Sequence, residues 1–174
     1  MLHAGVLMKL GGYGCFRIAM YLMPTGAAIW GDFFLVLTTI SVVYGAFSAV
    51  VQTDLKYINA YSSVSHCGLV LFALLMMTRV SATGAILQML SHGLMTALFF
   101  ALIGMIYGRT HTRDIRCLGG LMKIMPFLAV GYVIAGLANL GLPGLSGFVA
   151  EMTVFVGSFQ NPDLFHRTCT IMLR

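Results

Sequence analysis

The chain has 174 residues, of which 59% are hydrophobic and 9% are charged, and its mean hydropathy is +0.94. Soluble domains carry charge on about a quarter of their residues, so this composition excludes a soluble globular domain and indicates an integral membrane protein. The formal charge of +5 comes from sparse basic residues near the ends of apolar segments, which is typical of membrane orientation and argues against nucleic-acid binding.

The apolar segments determine the predicted fold class. At about 20 apolar residues per membrane span, the chain accommodates about five transmembrane helices and the start of a sixth. The predicted spans cover 1–22, 28–51, 57–77, 83–106 and 125–159, and a further apolar run begins at 168. We therefore predict an all-α, polytopic bundle of membrane helices that forms a single transmembrane domain over residues 1–174.

The first two predicted helices each contain a notable charge. Lys9 lies deep in the first helix, and Tyr13 follows it by four residues, so the two side chains share one helical face. A lysine at this depth is costly in lipid, which favours a functional role. The alternative is an ammonium that reaches the nearer membrane surface along its flexible stem. Asp32 lies near the predicted start of the second helix, where a carboxylate suits the helix N-terminus.

The third and fourth predicted helices each carry a mid-span histidine on a polar face. The third places His66 beside serines and an asparagine, and the fourth repeats Gln88, His92 and Thr96 every four residues. A single buried histidine is often no more than a packed core residue. Two successive helices with this pattern favour a proton relay, because imidazole accepts and passes protons near neutral pH.

The fifth predicted helix contains a helix-breaking run. Proline lacks a backbone N–H and glycine tolerates non-helical torsions, so the helix should unwind around Pro143. The residues of this predicted break are Leu140, Gly141, Pro143, Gly144 and Gly147. Glu151 follows about one turn later and is predicted to be a functional carboxylate inside the membrane. In the alternative interpretation Pro143 lies in a surface loop and Glu151 caps the next helix.

The loops give an orientation and exclude several kinds of site. Most basic residues lie in the connections 52–57 and 108–124, which should therefore face the cytoplasm or its equivalent. The four cysteines form no C-x-x-C pair, so no metal or iron–sulfur site is predicted. No nucleotide motif and no hydrolytic triad is present, so we expect no catalytic residue in this chain.

Seven ordered motifs, spread over nearly the whole chain, carry a family resemblance. They are Leu10-Gly-Gly-Tyr-Gly, Gln52-Thr-Asp-Leu-Lys56, Ala60-Tyr-Ser-Ser-Val-Ser-His66, Gln88-Met-Leu-Ser-His-Gly-Leu94, Thr110-His-Thr-Arg-Asp114, Leu118-Gly-Gly-Leu121 and Leu140-Gly-Leu-Pro-Gly-Leu-Ser-Gly-Phe-Val-Ala-Glu151. Together they resemble the proton-pumping antiporter-like subunits of respiratory complex I, of the chain M or mitochondrial chain 4 type. The glutamate on the broken helix separates this type from sister subunits that usually carry lysine there.

The resemblance implies roles for individual residues. Lys9 would be the central-axis lysine, His66 and His92 relay residues, and Glu151 the carboxylate on the exit side. The positions that would assist them are Lys56, Gln88 and Tyr13. The family folds as two inverted five-helix repeats, and this sequence resembles the second. The first repeat and the last helices are absent from it, which favours a fragment or a split chain of a full subunit.

The resemblance also implies an assembly. The chain would be a non-redox, proton-translocating membrane subunit of a NADH- or ferredoxin-driven quinone oxidoreductase. It would hold no cofactor itself, with FMN, iron–sulfur clusters and quinone in partner subunits. Its partners would be membrane lipid and other membrane subunits, including sister antiporter-like subunits. We expect a multi-pass protein of the bacterial cytoplasmic membrane, with the thylakoid and mitochondrial inner membranes as alternatives.

Two other functions fit the same motifs less directly. The first is a subunit of a cation/proton antiporter or of a membrane-bound hydrogenase, complexes that use similar modules. The second is a structural membrane scaffold without transport, in which the ionisable residues would have no role in proton movement.

Overall fold

The computed structural model describes residues 2–173, which form helices joined by short turns. In chain order these are α1 (Met8–Gly14), α2 (Pro24–Val51), α3 (Leu55–Leu75), α4 (Arg79–Thr110), α5 (Leu121–Ile124), α6 (Pro126–Asn139), α7 (Ser146–Phe159) and α8 (Leu164–Met172). π-helical turns at His3–Leu7 and Cys15–Met20 extend α1 at both ends, and a 3-10 turn at Ile115–Cys117 precedes α5. The predicted all-α fold is confirmed.

Three helices within residues 2–173, namely α2, α3 and α4, are long and apolar enough to cross a membrane. Each begins slightly earlier than its apolar segment predicts, because the polar cap residues and the proline that begin these helices are not part of the apolar segment. Asp54 accepts a hydrogen bond from the Lys56 N–H at 2.8 Å, and Thr78 accepts one from the Ser81 N–H at 3.2 Å. Pro24 occupies the first turn of α2.

The early start of α2 corrects the interpretation of Asp32. At 1.5 Å per residue, this carboxylate lies about 12 Å along α2 from Pro24, well past the first turn. The prediction that Asp32 benefits from the helix N-terminus is therefore wrong, since that field fades within one turn.

The predicted break in the fifth element is confirmed at Leu140, Gly141, Pro143 and Gly144, whereas Gly147 lies in the first turn of α7. α6 and α7 contain 14 residues each and are separated by a turn in which Gly141 has φ +63° and Gly144 has φ +101°. These torsions lie in the left-handed region, which glycine adopts without the steric cost of a side chain. The positive φ angles of Gly141 and Gly144 therefore explain why the break requires glycine.

The break lies near the middle of the bundle. The Ser146 hydroxyl at the start of α7 lies 2.8 Å from the hydroxyl of Ser91, about 18 Å along α4 from Arg79. Glu151 lies inside α7 and provides no cap for it. The alternative of a surface loop with Glu151 as a helix cap is therefore wrong.

Two apolar clusters lie on opposite sides of the break, one toward each end of the bundle. One is built from α2, α3, α4, α7 and α8 around Leu35, Phe72 and Val154. The other is built at the opposite end around Leu55, Phe99 and Leu128. The polar residues of α3 and α4 lie between these clusters, so their side chains meet in the interior of the bundle.

The two basic connections lie on the same side of the bundle, as their charge predicts. The Leu55 N–H donates to the Arg113 carbonyl at 3.1 Å, and the Ile115 N–H donates to the Thr53 carbonyl at 3.0 Å. The Asp54 carboxylate also lies 3.6 Å from Arg113 Nε. At the opposite end, the Asn161 amide donates to the Met76 carbonyl at 3.1 Å.

Candidate functional site

Side chains from three helices meet beside the broken helix. The amide nitrogen of Gln88 on α4 lies 3.2 Å from His66 Nδ1 on α3 and 3.3 Å from Glu151 Oε1 on α7. His66 Nδ1 and Glu151 Oε1 are themselves 3.4 Å apart. The structure therefore brings together three residues that sequence reasoning assigned to one pathway, with Gln88 at their centre.

Asn139, the last residue of α6, sets the tautomer of His66. His66 Nε2 lies 2.9 Å from Asn139 Oδ1, and the Asn139 amide exchanges hydrogen bonds with the Ser62 hydroxyl at 3.2 and 3.3 Å. An amide oxygen only accepts, so Nε2 of the neutral ring carries the hydrogen and Nδ1 presents its lone pair. Gln88 therefore donates both to that lone pair and to Glu151.

This geometry supports proton exchange between His66 and Glu151. A proton added to His66 Nδ1 removes the acceptor of one Gln88 hydrogen bond and creates an imidazolium beside the carboxylate. A protonated Glu151 would instead donate its hydrogen to the same nitrogen. The 3.4 Å separation exceeds a strong hydrogen bond, so a contraction of a few tenths of an ångström is needed for transfer.

His92 lies beside His66 and is almost completely buried. The two ring centroids are 4.8 Å apart. The Thr96 hydroxyl donates to the His92 carbonyl at 2.6 Å, so it accepts from His92 Nε2 at 3.1 Å. His92 Nδ1 is consequently a bare acceptor, and within residues 2–173 it has no hydrogen-bond partner.

Lys9 approaches the histidines from α1. Its ammonium donates a hydrogen bond to the Ala4 carbonyl in the preceding π-helical turn and interacts electrostatically with His66 and His92. The side chain lines a small cavity of about 190 Å³ between α1, α3 and α4. The salt bridges found in the described part of the chain do not include Lys9.

Two of the predicted supporting residues lie away from this cluster. Lys56 is exposed at the start of α3, about 15 Å of helix rise from His66. Tyr13 is 53% exposed and lines an apolar groove with Lys9 rather than the polar network. The third supporting residue, Gln88, is central to the site.

Sequence reasoning missed Asn139. The residue lies at the end of an apolar helix and belongs to no periodic polar stripe, so the pattern that identified Gln88 and His92 did not include it. A usable signal existed, because Asn139 is the one amide side chain in 125–159 and directly precedes the glycine-rich break.

The site also opens toward α2 and α8. His66 and Glu151 line a cavity of about 280 Å³ together with Val42 of α2 and Leu173 after α8. Glu151 therefore contacts the polar cluster on one side and this cavity on the other.

Comparison with known proteins gives a consistent result. A family model described as NADH:quinone oxidoreductase/Mrp antiporter, TM matches residues 1–172. The NAD(P)H-quinone oxidoreductase chain 4 3 of Picosynechococcus sp. is 45% identical over 175 residues, which cover 99% of this chain and 32% of that protein. The NADH-quinone oxidoreductase subunit M of Rhodobacter capsulatus is 42% identical over 157 residues, covering 90% of this chain and 31% of that protein.

Solved structures agree with these sequence relatives. A chain of respiratory complex I from Thermus thermophilus with bound NADH superposes with a TM-score of 0.86 at 33% identity, covering 95% of this chain and 35% of that one. A chain of the Mrp complex from Dietzia sp. gives 0.84 at 24% identity, covering 95% of this chain and 32% of that one, and supports the fold alone. The chain spans about a third of the length of the curated relatives it matches. It belongs to the NADH:quinone oxidoreductase/Mrp antiporter transmembrane family, as its motifs predicted.

Proposed function

We propose that this chain is part of an antiporter-like subunit that moves protons across the membrane in a NADH- or ferredoxin-driven quinone oxidoreductase. The observation that carries the proposal is the contact of Gln88 with both His66 Nδ1 and Glu151 Oε1. An imidazole lone pair, an amide donor and a carboxylate then lie within hydrogen-bonding distance inside the membrane. Such intramembrane ionisable groups mark ion and proton pathways.

Electrostatic coupling gives the proton a direction in this proposal. A proton on His66 is repelled by the Lys9 ammonium and attracted by the Glu151 carboxylate, so the charge of Lys9 favours transfer toward Glu151. If Lys9 becomes neutral, the same proton is held longer on the imidazoles. Coupled sites of this kind change occupancy together, which is what a pump requires.

The two histidines provide the intermediate steps. His92 Nδ1 is an acceptor without a partner among residues 2–173, and the ring lies 4.8 Å from His66 between centroids. A proton arriving near Lys9 is thus taken up first by His92 and passed through His66 to Glu151. Asn139 acts as a positioning residue, because it keeps the acceptor nitrogen of His66 turned toward Gln88 and Glu151.

Redox chemistry belongs to other subunits in this proposal. The chain corresponds to the second five-helix repeat of the family, and sister antiporter-like subunits and lipid surround it. FMN, iron–sulfur clusters and quinone lie in partner subunits. Cyanobacterial and bacterial relatives support a bacterial cytoplasmic membrane, with thylakoid and mitochondrial inner membranes as alternatives.

The test is Glu151→Gln in the assembled complex, reconstituted into liposomes with a pH-sensitive dye inside. The substitution keeps the shape of the side chain and removes its titration. We expect quinone reduction by NADH or reduced ferredoxin to persist. The number of protons moved per electron should fall by the share that passes through this site. Asp54→Asn, in a loop away from the site, is the matched control and should leave the ratio of protons to electrons unchanged.

Two outcomes would replace this proposal. Sodium-dependent proton movement without quinone reduction would favour a cation/proton antiporter complex, which the family description also includes. An assembled Glu151→Gln complex with unchanged proton transport would favour a structural scaffold.

A further inference from the structure

An apolar groove of about 350 Å³ lies where α6 begins, at the end of the bundle that carries the basic connections. Its floor is formed by buried side chains, Ile106 of α4 and Leu128 of α6, which belong to the apolar cluster around Leu55. Its rim is formed by Met122 and Val133, which are 66% and 53% exposed. The groove therefore opens to the outer surface of this chain.

The segment between α4 and α6 supplies one wall of the groove through a regular spacing. Ile115, Leu118 and Leu121 recur every three residues, and all three line the groove. The Leu118 N–H donates to the Ile115 carbonyl at 3.3 Å, so the 3-10 turn, with its three residues per turn, fixes this spacing. Arg116 and Lys123 fall outside the spacing and are exposed. The segment is therefore amphipathic, with apolar side chains in the groove and basic side chains at the surface.

The basic side chains beside the groove are not neutralised by this chain. Arg109 in the last turn of α4, Arg116 and Lys123 each follow a groove-lining residue by one to three positions, and all three are exposed. The salt bridges found among residues 2–173 include none of them. Arg113 differs, because its Nε atom lies 3.6 Å from the Asp54 carboxylate. Three positive charges are thus available to an anion at the mouth of the groove.

The depth of the groove matches the boundary between lipid headgroups and acyl chains. Its α6 residues end at Val133, about 10 Å along the helix from Pro126, and this boundary extends about 5–10 Å into a membrane. The basic connections are predicted to face the cytoplasm, where anionic phospholipids make the membrane surface negative. A zwitterionic lipid would bring no net negative charge to the basic residues, and a soluble anion would leave the apolar groove uncovered.

We propose that the groove and its three basic residues bind one anionic phospholipid, of the phosphatidylglycerol class, from the cytoplasmic leaflet. The phosphate lies among Arg109, Arg116 and Lys123, and an acyl chain follows the groove along α6. The bound lipid joins the segment 115–124 to α4 and to the start of α6. The inference does not depend on proton transport, because the groove lies at the opposite end of α6 from Asn139.

The experiment uses the assembled complex in nanodiscs of phosphatidylcholine with a trace of phosphatidylglycerol that carries a photoactivatable diazirine on its acyl chain. After illumination, mass spectrometry of peptides locates the labelled residues. We expect label on the groove residues of α6, and at least about fivefold less label from phosphatidylcholine with the same diazirine, since one basic residue near the surface contributes about fivefold to the binding of an anionic lipid. About 1 M salt should reduce this preference, because it screens exposed charges.

Two kinds of variant test the two parts of the site. Arg116→Gln and Lys123→Gln should each lower the phosphatidylglycerol label about fivefold. Arg79→Gln removes an exposed basic residue at the opposite end of the bundle and should leave the label unchanged. Ala129→Phe fills the groove without changing the charge, so it should remove the label of both lipids from α6. Its control is Ala101→Phe, at an exposed position of α4 outside the groove.

Each result decides the inference. Equal labelling by the two lipids overturns it, because the groove would then hold membrane lipid regardless of charge. Groove residues that neither lipid labels also overturn it and indicate that a protein segment covers the groove in the assembled complex. Label that persists unchanged in both Arg116→Gln and Lys123→Gln overturns the site as well. If Ala129→Phe fails to assemble, these two charge variants decide the question, since both side chains are exposed and lie outside the packed core.

Discussion

His66 Nδ1 on α3 and Glu151 Oε1 on α7 lie 3.4 Å apart, and the amide nitrogen of Gln88 contacts both atoms. The pair depends on the helix break, because the break ends α6 at Asn139, which holds the other side of the imidazole. The break therefore places a hydrogen-bond acceptor for His66 at the level of Glu151.

Gln88→Leu should uncouple the pair. Leucine has a similar size but donates no hydrogen bond, so Nδ1 of His66 and the Glu151 carboxylate both lose a partner in a buried place. A hydrogen bond to a charged group contributes about 1.5–3 kcal/mol, which corresponds to at least about a tenfold slower transfer if it acts in the transition state. Proton uptake by reconstituted liposomes during quinone reduction measures the effect.

The control for this substitution is Gln52→Leu, in the α2–α3 connection outside the polar cluster. Equal rates in the Gln88→Leu and unmodified complexes would show that the amide plays no part in transfer.

Asn139→Asp should trap a proton on His66. A carboxylate in place of the amide stabilises the imidazolium, because opposite charges at hydrogen-bonding distance favour the charged form of both groups. Proton transfer from His66 to Glu151 should therefore slow in Asn139→Asp. Asn139→Ala instead removes the acceptor of His66 Nε2, so the ring should take more orientations without holding a proton. Nitrogen NMR of labelled histidine distinguishes the two, since the imidazolium and the neutral tautomers have separate signals.

Sequence reasoning selected some of the clustered residues and missed another for different physical reasons. Gln88, His66, His92 and Glu151 were found because polar residues in an apolar helix are rare, and helical spacing shows which of them share a face. Asn139 was missed because its role depends on how two half-helices meet, which no single-helix pattern contains. Asp32 was misplaced because a proline start lengthens α2 beyond its apolar core.

Gly84→Ala should loosen the contact between α4 and α7. A Cβ atom at Gly84 would lie 2.7 Å from the backbone nitrogen of Val154, and backbone cannot move aside as a side chain can. Overpacking of this kind costs about 1–3 kcal/mol. The midpoint of denaturant-induced unfolding should fall, and proton transport should fall with it because α7 carries Glu151.

The matched control is Gly104→Ala on the same helix, where a Cβ atom meets nothing within 4 Å. Alanine favours helix over glycine by about 1 kcal/mol, so this variant should be as stable as the parent or more stable. A Gly84→Ala protein with the stability of Gly104→Ala would contradict the close packing described for α4 and α7.

Gly141→Ala and Gly144→Ala should separate backbone strain from damage to the site. Both positions have positive φ, +63° and +101°, so alanine strains the turn at a cost of about 1–2 kcal/mol in each case. Only at Gly141 would the new Cβ atom also meet Glu151, at 2.8 Å from Oε2, whereas nothing lies within 4 Å at Gly144. We therefore expect similar losses of stability from the two variants but a much larger loss of proton transport from Gly141→Ala.

The measurement is the ratio of protons moved to electrons transferred, recorded beside an unfolding curve for each variant. Parallel losses of both quantities in the two variants would mean that the break acts through its backbone alone, and that the approach of Gly141 to Glu151 has no part in positioning the carboxylate.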